Sequence, residues 1–438
     1  MVRTRSITLS LGLFLITMLV FSCLSTSVFN LQQNQALAQQ YIPTIKYRNL
    51  VIDLGNGVKT KAQLTYPAIG KGPFPGVLLM QGSGAIDKNE TLGFIHKNGS
   101  KPPLLLWDIA QYLSERGFAV LRYDKRGIGG NYTILDSNVW GNNTGNDQIQ
   151  DGKKAVNVLV QQPEVDPKRI SIIGHSEGTL YAPRVAMDNS TKVKNIVLMS
   201  TLAQNPSVSE YNLDVSLPSK YATQVLDKNH TGLISIQQIA KDPLLSHLLV
   251  SGSVLRTTNI KDIANTLLKA FGTSIDGAIN IDKQLKPALI KTYENITAFN
   301  SHKCKSIQIC PILWRSLLNM IPNLSIIGNI SKSTGILILN GESDTQTPVE
   351  QAFLLQQRLT DINHPDHTLI TYPNLGHAFY PSSQWTTGIG PIQQYVLADL
   401  YSWLAAHSGF TNAAPAAPSS ATMPSSNSTT IKQNSPGK

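Results

Sequence analysis

Hydrophobic and polar positions change period several times along this chain, and the changes mark its elements. From Tyr41, the runs "TIKYRNLVIDL" and "VKTKAQLTYP" alternate apolar and polar side chains on either side of "GNG". A period of two around an Asn-Gly turn predicts a β-hairpin. "FPGVLLMQGSG" differs, being an unbroken apolar run that enters a glycine-rich loop, as expected of a strand buried on both faces. "LLLWDIAQYLSERG" has helical spacing and closes on glycine. A strand in "FAVLRYDKRGIGG", a helix over residues 146–162, a strand in "RISIIGHSEG", a helix through "YAPRVAM" and a strand in "VKNIVLMSTLA" continue the series. Strands alternating with helices predict a mostly parallel sheet covered on both faces.

Near Leu202 the alternation stops. Residues 204–333 carry helical segments of mixed polarity and no clear buried strand. Alternation resumes with "GILILNGESD", a helix after Pro348, "HTLITYPNLGHAF" and a last helix in "IQQYVLADLYSWLAA". The expected organisation is an α/β core in two parts, 41–203 and 334–408, with a helical cap at 204–333 inserted after the sixth strand. Residues 409–438, rich in Ala, Pro, Ser and Thr, are expected to form a disordered tail.

The start of the chain reads differently. "MVRTR" precedes "SITLSLGLFLITMLVFSCL", an uncharged run of about eighteen residues, the lower limit for a membrane-spanning helix. Positive charge ahead of an apolar run is the pattern of an export signal. Residues 1–40 are therefore read as a signal peptide or an N-terminal membrane anchor, with three fates open: cleavage after "ALA" at 36–38, retention as an anchor, or lipidation at Cys23. Each puts the protein outside the cytoplasm, secreted or attached to the outer face of the membrane. Asn89, Asn98, Asn131, Asn142 and Asn295 each open an Asn-X-Ser/Thr triplet, a glycan acceptor only in an exported chain. Cys304 and Cys310, in "HKCKSIQIC", form an even pair for which a disulfide is expected; only His302 is near enough to suggest zinc instead.

Composition narrows the classes. The chain has 438 residues, 41% hydrophobic and 15% charged, which suits a globular protein with a sizeable core. Its formal charge of +10 is scattered, and no block of Lys and Arg is interleaved with aromatics, so nucleic acid is not an expected partner.

The chemistry gathers at Gly174-His175-Ser176-Glu177-Gly178. In a chain this long the five-residue pattern arises by chance often enough to decide little. Its placement between a buried strand and a helix says more, because a nucleophile elbow needs that context. There the serine sits in strained backbone, and neighbouring chain approaches too closely for side chains at Gly174 and Gly178. A serine nucleophile needs a base, and the base an orienting acid. Asp344 closes "LILNGESD" and His377 closes "LITYPNLGHAF", so the order Ser, Asp, His falls on strand ends. Glu342 is the rival acid, earlier in the turn. His175 should diverge from its neighbour Ser176, while His364 and His367 precede the last strand. Backbone N–H groups of Glu177 and Ser83 are the expected oxyanion donors, with Gly82 and Gly84 letting the backbone approach.

"VLLMQGSGAIDKNE", "LRYDKRGIGG", "DPKRISIIGHSEGTLYAPRVA", "LILNGESDTQTPVEQA" and "NLGHAF" together resemble the α/β-hydrolase superfamily. More narrowly they are similar to bacterial and archaeal serine esterases with a Gly-Ser-Gly-Pro-type oxyanion loop, in the serine aminopeptidase and dienelactone hydrolase-like branch. The resemblance covers about 41–203 and 334–408 and implies Ser176, Asp344 and His377 as the catalytic triad. Ala85, Lys88 and Asn89 depart from that loop, and Gln81 stands where many members have His. What it implies is a serine hydrolase acting on small-molecule carboxylic esters. A serine aminopeptidase or amidase on the same triad, and a non-catalytic envelope-binding protein keeping the fold, stay open. The first would want acidic cap residues around a free amino group, and Glu210, Asp214, Asp227 and Asp242 are scattered in sequence.

"DKNHTGLISIQQ" follows a calcium-loop pattern through Asp227, Asn229, Thr231, Gly232, Ile234 and Ser235, with Gln238 in place of the bidentate Glu. Hydrolysis of this kind requires no cofactor. Weak structural calcium at Asp227, Asn229, Thr231 and Ser235 is the one metal expectation, set against a helix-loop-helix of the cap.

Overall fold

A computed structural model describes residues 44–92, 101–130, 133–188, 192–242, 245, 277–298, 310–386 and 388–410. The apolar run near the N-terminus, Cys23, Asn98, Asn131, Cys304 and the tail from residue 411 lie outside the described residues.

Strands β1 (Ile45–Gly55) and β2 (Val58–Pro67) form the expected hairpin. Asn56 and Gly57 turn it with φ of 54° and 77°, the left-handed pair that Asn-Gly adopts at least cost. Six further strands complete the sheet: β3 (Phe74–Met80), β4 (Ala119–Tyr123), β5 (Val165–His175), β6 (Val193–Met199), β7 (Gly335–Gly341) and β8 (His367–Tyr372). Their spatial order is β1-β2-β4-β3-β5-β6-β7-β8, antiparallel through the β2–β4 pair and parallel from β4 onward. β4 and β7 are buried at every position, which is why they read as continuous apolar runs.

Successive residues of the central strands serve opposite faces, as the pleat requires. Leu78, Ile172, Leu198 and Ile338 pack beneath helices α2 (Gly145–Val160) and α3 (Gly178–Ala186) with Ala155, Val156, Leu180 and Val185. Leu79, Ile173, Val197 and Leu339 pack on the other side against α1 (Leu105–Ser114) and the C-terminal helix, through Ile109, Leu113, Val396 and Leu400. This is the expected architecture, with helices on both faces of a mostly parallel sheet. Thr144 caps α2 through a capping box with Asp147, fixing where that helix begins beside the site.

Between β6 and β7 the chain leaves the sheet. There it forms α4 (Pro206–Tyr211), α5 (Lys286–Thr297), α6 (Pro311–Leu318) and several shorter turns. Contrary to the reading of this segment as free of buried strand, two short strands, Leu233–Ser235 and Ala278–Asn280, pair antiparallel with Ile234 opposite Ile279, both buried. Three residues with one inward side chain are too few for a period to show, which is why the pattern missed them. With Val215, Ile236 and Leu285 these isoleucines form a separate small core. Among the described residues no helix is long and apolar enough to cross a membrane.

Ile172 is fully buried where β5 meets α3. Ile172→Ala should cost about 2–5 kcal/mol of stability, read from urea denaturation. A cost under about 1 kcal/mol would remove β5 from the centre of the core.

Candidate active site

β5 ends at His175 and α3 begins at Gly178, leaving Ser176 at the turn with φ of 52°. An L-residue held there stores about 1–3 kcal/mol of strain, sustained only by surroundings that over-determine it. Those surroundings are visible. The Ser176 N–H donates to the Met199 carbonyl at 2.9 Å. A Cβ on Gly174 would lie 2.5 Å from the Gly178 carbonyl oxygen, and one on Gly178 would collide with the carbonyl of Met80. Both flanking glycines are thus steric requirements of one tight strand–helix–strand contact.

Asp344 and His377 come together from the loops after β7 and β8. His377 Nδ1 lies 2.9 Å from Asp344 Oδ2 and 3.0 Å from Oδ1. The carboxylate also accepts from the Gln346 and Thr347 N–H groups at 2.9 Å each and from Thr347 Oγ1 at 2.6 Å. Burial pushes the Asp344 carboxyl upward, but His377 and the Thr347 donors outweigh it and leave the acid below its usual range. Glu342, the rival acid, turns outward and accepts from Thr371 Oγ1 at 2.8 Å. Ser176 and His377 do not share a hydrogen bond here; contacts of this kind commonly tighten only in a substrate complex.

His175 packs its ring 4.9 Å from that of His377 but turns its nitrogens elsewhere. Nδ1 lies 2.6 Å from Glu90 Oε1 and Nε2 lies 3.0 Å from the His377 carbonyl. A backbone carbonyl at one nitrogen and a carboxylate at the other favour protons on both, and so the charged imidazolium. Burial works against that charge, yet Glu90 and the carbonyl raise its pKa overall. His175 is therefore no base for Ser176. Glu90, with φ of 49° and almost no exposure, was not singled out from sequence, because its partner lies 85 residues away.

Ser83 and Glu177 both line a cleft that opens over Ser176. Among the described residues neither the Ser83 N–H nor the Glu177 N–H donates to a protein acceptor. Gly84 takes φ of 93°, reversing the loop behind Ser83. Gln81, in the position where relatives of this loop often carry His, is buried and donates to the Tyr123 carbonyl. Leu180, Leu202, Trp314 and Leu317 give the cleft an apolar side, beside the polar Ser176, Ser209, Gln346 and Thr347. Glu210, on α4, interrupts it: burial, with Asp214 and Glu177 adding, pushes its carboxyl from 4.5 up to about 8. Glu210 and Asp214 thus interact near Ser176, which their sequence spacing did not reveal. Asp242 instead binds the Tyr221 hydroxyl at 3.0 Å.

The remaining candidates lie between β6 and β7. Asp227 accepts from the Thr231 N–H and hydroxyl at 2.9 and 3.1 Å and from the Gly232 N–H at 2.6 Å. Ser235 caps the helix Ile236–Lys241 in a capping box with Gln238, and Asn229 is exposed. These residues share one loop whose polar groups shape the turn and the helix start. Among the described residues no group of three or more His, Cys, Asp or Glu is placed to hold a metal ion. Cys310 is buried at the start of α6, and Cys304 lies outside the described residues.

Residues 105–381, more than half of the chain, match the family model described as serine aminopeptidase, S33. Over 149 residues the chain is 33% identical to esterase EstD of Thermotoga maritima, a match covering 34% of this chain and 31% of that one. The match thus spans about a third of that curated relative's length. Among solved structures, proline iminopeptidase of Mycobacterium smegmatis superposes with a TM-score of 0.47 at 14% identity, covering 83% of this chain and 100% of that one. Est1E from Butyrivibrio proteoclasticus gives 0.43 at 13% identity, covering 82% and 98%.

Two measurements check this geometry. Gly178→Ala should cost about 1–3 kcal/mol or more by overpacking, whereas Gly328→Ala, whose Cβ would meet only Ile362 at 3.7 Å, should stay within about 0.5 kcal/mol. Equal stability of the two variants in thermal unfolding would refute the tight elbow. For Glu210 the folded pKa is raised, so the fold favours the protonated acid and loses stability as pH climbs from about 4.5 to about 8. Glu210→Gln lacks that slope, so its melting temperature should gain on wild type between pH 5 and pH 8. Parallel melting curves would place the carboxyl in water.

Proposed function

The chain belongs to the serine aminopeptidase (S33) family of α/β hydrolases, and we propose that it is an exported serine hydrolase cleaving carboxylic esters. The observation that carries this reading is the hydrogen-bonded Asp344–His377 pair, whose partner Thr347 lines the same cleft as a strained Ser176 on its elbow. In the reaction, Ser176 Oγ attacks the ester carbonyl while His377 Nε2 takes its proton. Asp344, kept ionised, holds the Nδ1–H and stabilises the imidazolium that forms. The oxyanion is received by the N–H groups of Ser83 and Glu177. His377 then protonates the departing alcohol, and water admitted as nucleophile repeats the sequence on the acyl-enzyme. Export is supported by Arg3 and Arg5 ahead of the apolar run of the leader.

The apolar cleft wall suits an uncharged acyl or alcohol group. With its pKa near 8, Glu210 is mostly protonated at pH 7 and adds a hydrogen-bonding acid to that wall. The same residue favours a second reading. A carboxyl with Asp214 behind it, in the cleft of the nucleophile, is chemistry able to take the proton-bearing amino group of an aminoacyl substrate.

A fluorophosphonate probe should label wild-type protein and leave Ser176→Ala unlabelled, with hydrolysis of a short p-nitrophenyl ester falling on the order of 10³-fold or more. Full activity in Ser176→Ala would end the proposal, and a wild type that neither labels nor hydrolyses would favour a binding role. Glu210→Gln separates the two enzymatic readings. An esterase should keep ester kcat/KM within about threefold, the size of a contact that adds little in the transition state, whereas an aminopeptidase should lose aminoacyl-amide turnover more than about tenfold, or about 1.4 kcal/mol.

A further inference from the structure

Lys125 is nearly without solvent contact, and its Nζ has two acceptors: the Gly82 carbonyl at 2.6 Å and Glu177 Oε1 at 3.0 Å. Glu177 Oε1 also accepts from the Tyr181 hydroxyl at 2.7 Å. Removing an ammonium and a carboxylate from water costs several kcal/mol per ion, and a well-packed apolar pair of the same volume is often as stable or more so. Stability alone is therefore a weak account of this pair. Its two ends are more informative, because each belongs to a different half of the oxyanion site.

A trans peptide is planar, so the Gly82 carbonyl and the Ser83 N–H are one rigid unit pointing in opposite directions. Whatever anchors the oxygen also aims the hydrogen. Lys125 anchors the oxygen, and Ser83 faces the cleft beside Ser176. A cation on the carbonyl end also polarises the unit and makes its N–H a stronger donor. At the other end, Lys125 holds the side chain of Glu177, whose own N–H is the second donor and which makes no capping hydrogen bond to its helix. The Gly82 N–H is fixed from the opposite side by Glu90 Oε1 at 3.2 Å, the oxygen that also binds His175. A side chain on Gly82 would displace this arrangement, since its Cβ would lie 2.7 Å from Glu90 Oε1.

We propose that Lys125 is a positioning residue of the reaction: shared between the Gly82 carbonyl and the Glu177 carboxylate, it holds the Ser83 and Glu177 N–H groups in common register toward the oxyanion. The assignment rests on the serine-hydrolase reading and adds to it a residue outside the triad. It also gives the Glu177 side chain a role, as the tie between the elbow and the loop after β3.

The test uses the full chain with Lys125→Met and Lys125→Arg. Lys125→Met removes both hydrogen bonds at similar volume. Lys125→Arg keeps a charge for Glu177, but its planar fork cannot place a single donor where Nζ stands. Both are assayed on a short p-nitrophenyl ester after thermal unfolding confirms that they fold. Lys125→Met should lose on the order of 10²-fold in kcat with KM within about threefold, the signature of donors misplaced only for the transition state. Affinity for a trifluoromethyl ketone, which forms a hemiketal oxyanion with Ser176, should fall in parallel with kcat/KM. Affinity for the product carboxylic acid should not. Lys125→Arg should fall between Met and wild type, and it carries the test where Lys125→Met does not fold. A folded variant of either kind with wild-type kcat and ketone affinity overturns the assignment, as does a loss confined to melting temperature. Failure of the wild type itself to hydrolyse ester or bind ketone is a different outcome, and overturns the hydrolase reading beneath it.

Discussion

Everything at this site depends on how closely three pieces of backbone approach one another. The end of β5, the first turn of α3 and the end of β3 meet where Gly174 faces the Gly178 carbonyl and Gly178 faces those of Met80 and Gln81. No side chain fits between them. The contact holds Ser176 in left-handed backbone, and it also delivers the loop after Met80 to the side of the nucleophile, with Gly82 against Ser176 Cβ. The strained Ser176 and the loop proposed to receive the oxyanion are therefore consequences of one packing constraint. The sheet makes it affordable, because Leu78, Leu79, Ile172 and Ile173 are wholly buried and leave the strand ends no freedom to spread.

Around this contact the protein buries charge. Lys125 pairs with Glu177, His175 with Glu90, and Arg126 with Asp151 at 2.5 Å, the last of these carboxylates fully buried. Such pairs add little stability over an apolar core, but breaking one is costly because a lone charge remains. What they supply is direction. An apolar side chain can slide and repack, while a hydrogen-bonded ion selects one rotamer and one acceptor. The pairs contacting Gly82 grip its N–H and its carbonyl separately, and His175 carries the same framework to the His377 carbonyl, which Ser200 Oγ also holds at 2.7 Å. The loops bearing the oxyanion donors and His377 are thereby tied together below the cleft floor.

The features legible in the sequence are those with a local signature. The hairpin announced itself through alternation around Asn56-Gly57, the buried strands through unbroken apolar runs, and Ser176, Asp344 and His377 through their positions at strand ends. Glu90, Lys125 and Glu210 had no such signature. Each is a polar residue in a loop or short helix, indistinguishable in one dimension from a solvated one. For Glu90 and Lys125 the meaning comes from a partner far along the chain, since Glu177 lies 52 residues from Lys125 and His175 lies 85 from Glu90, and for Glu210 it comes from burial. The exclusion of His175 as base did follow from sequence, since neighbouring side chains diverge. That its surroundings favour the charged form required knowing that its nitrogens face Glu90 and the His377 carbonyl. The short cap strands were hidden by length, one inward isoleucine each being no pattern.

Sheet and cap divide the chemistry between them. The sheet's loops carry the groups that the proposed acyl transfer would use, and their positions are over-determined by packing and paired charge. The segment between β6 and β7 contributes Glu210, Trp314 and Leu317 to the same cleft, from α4 and α6. An acid set beside Trp314 and Leu317 is a sensitive element. With its proton it can donate to a carbonyl or ether oxygen, and without it a cation is the natural partner. Because burial and the neighbouring Asp214 put that change near pH 8, the cleft's character can shift within the alkaline range while the machinery beneath keeps its form.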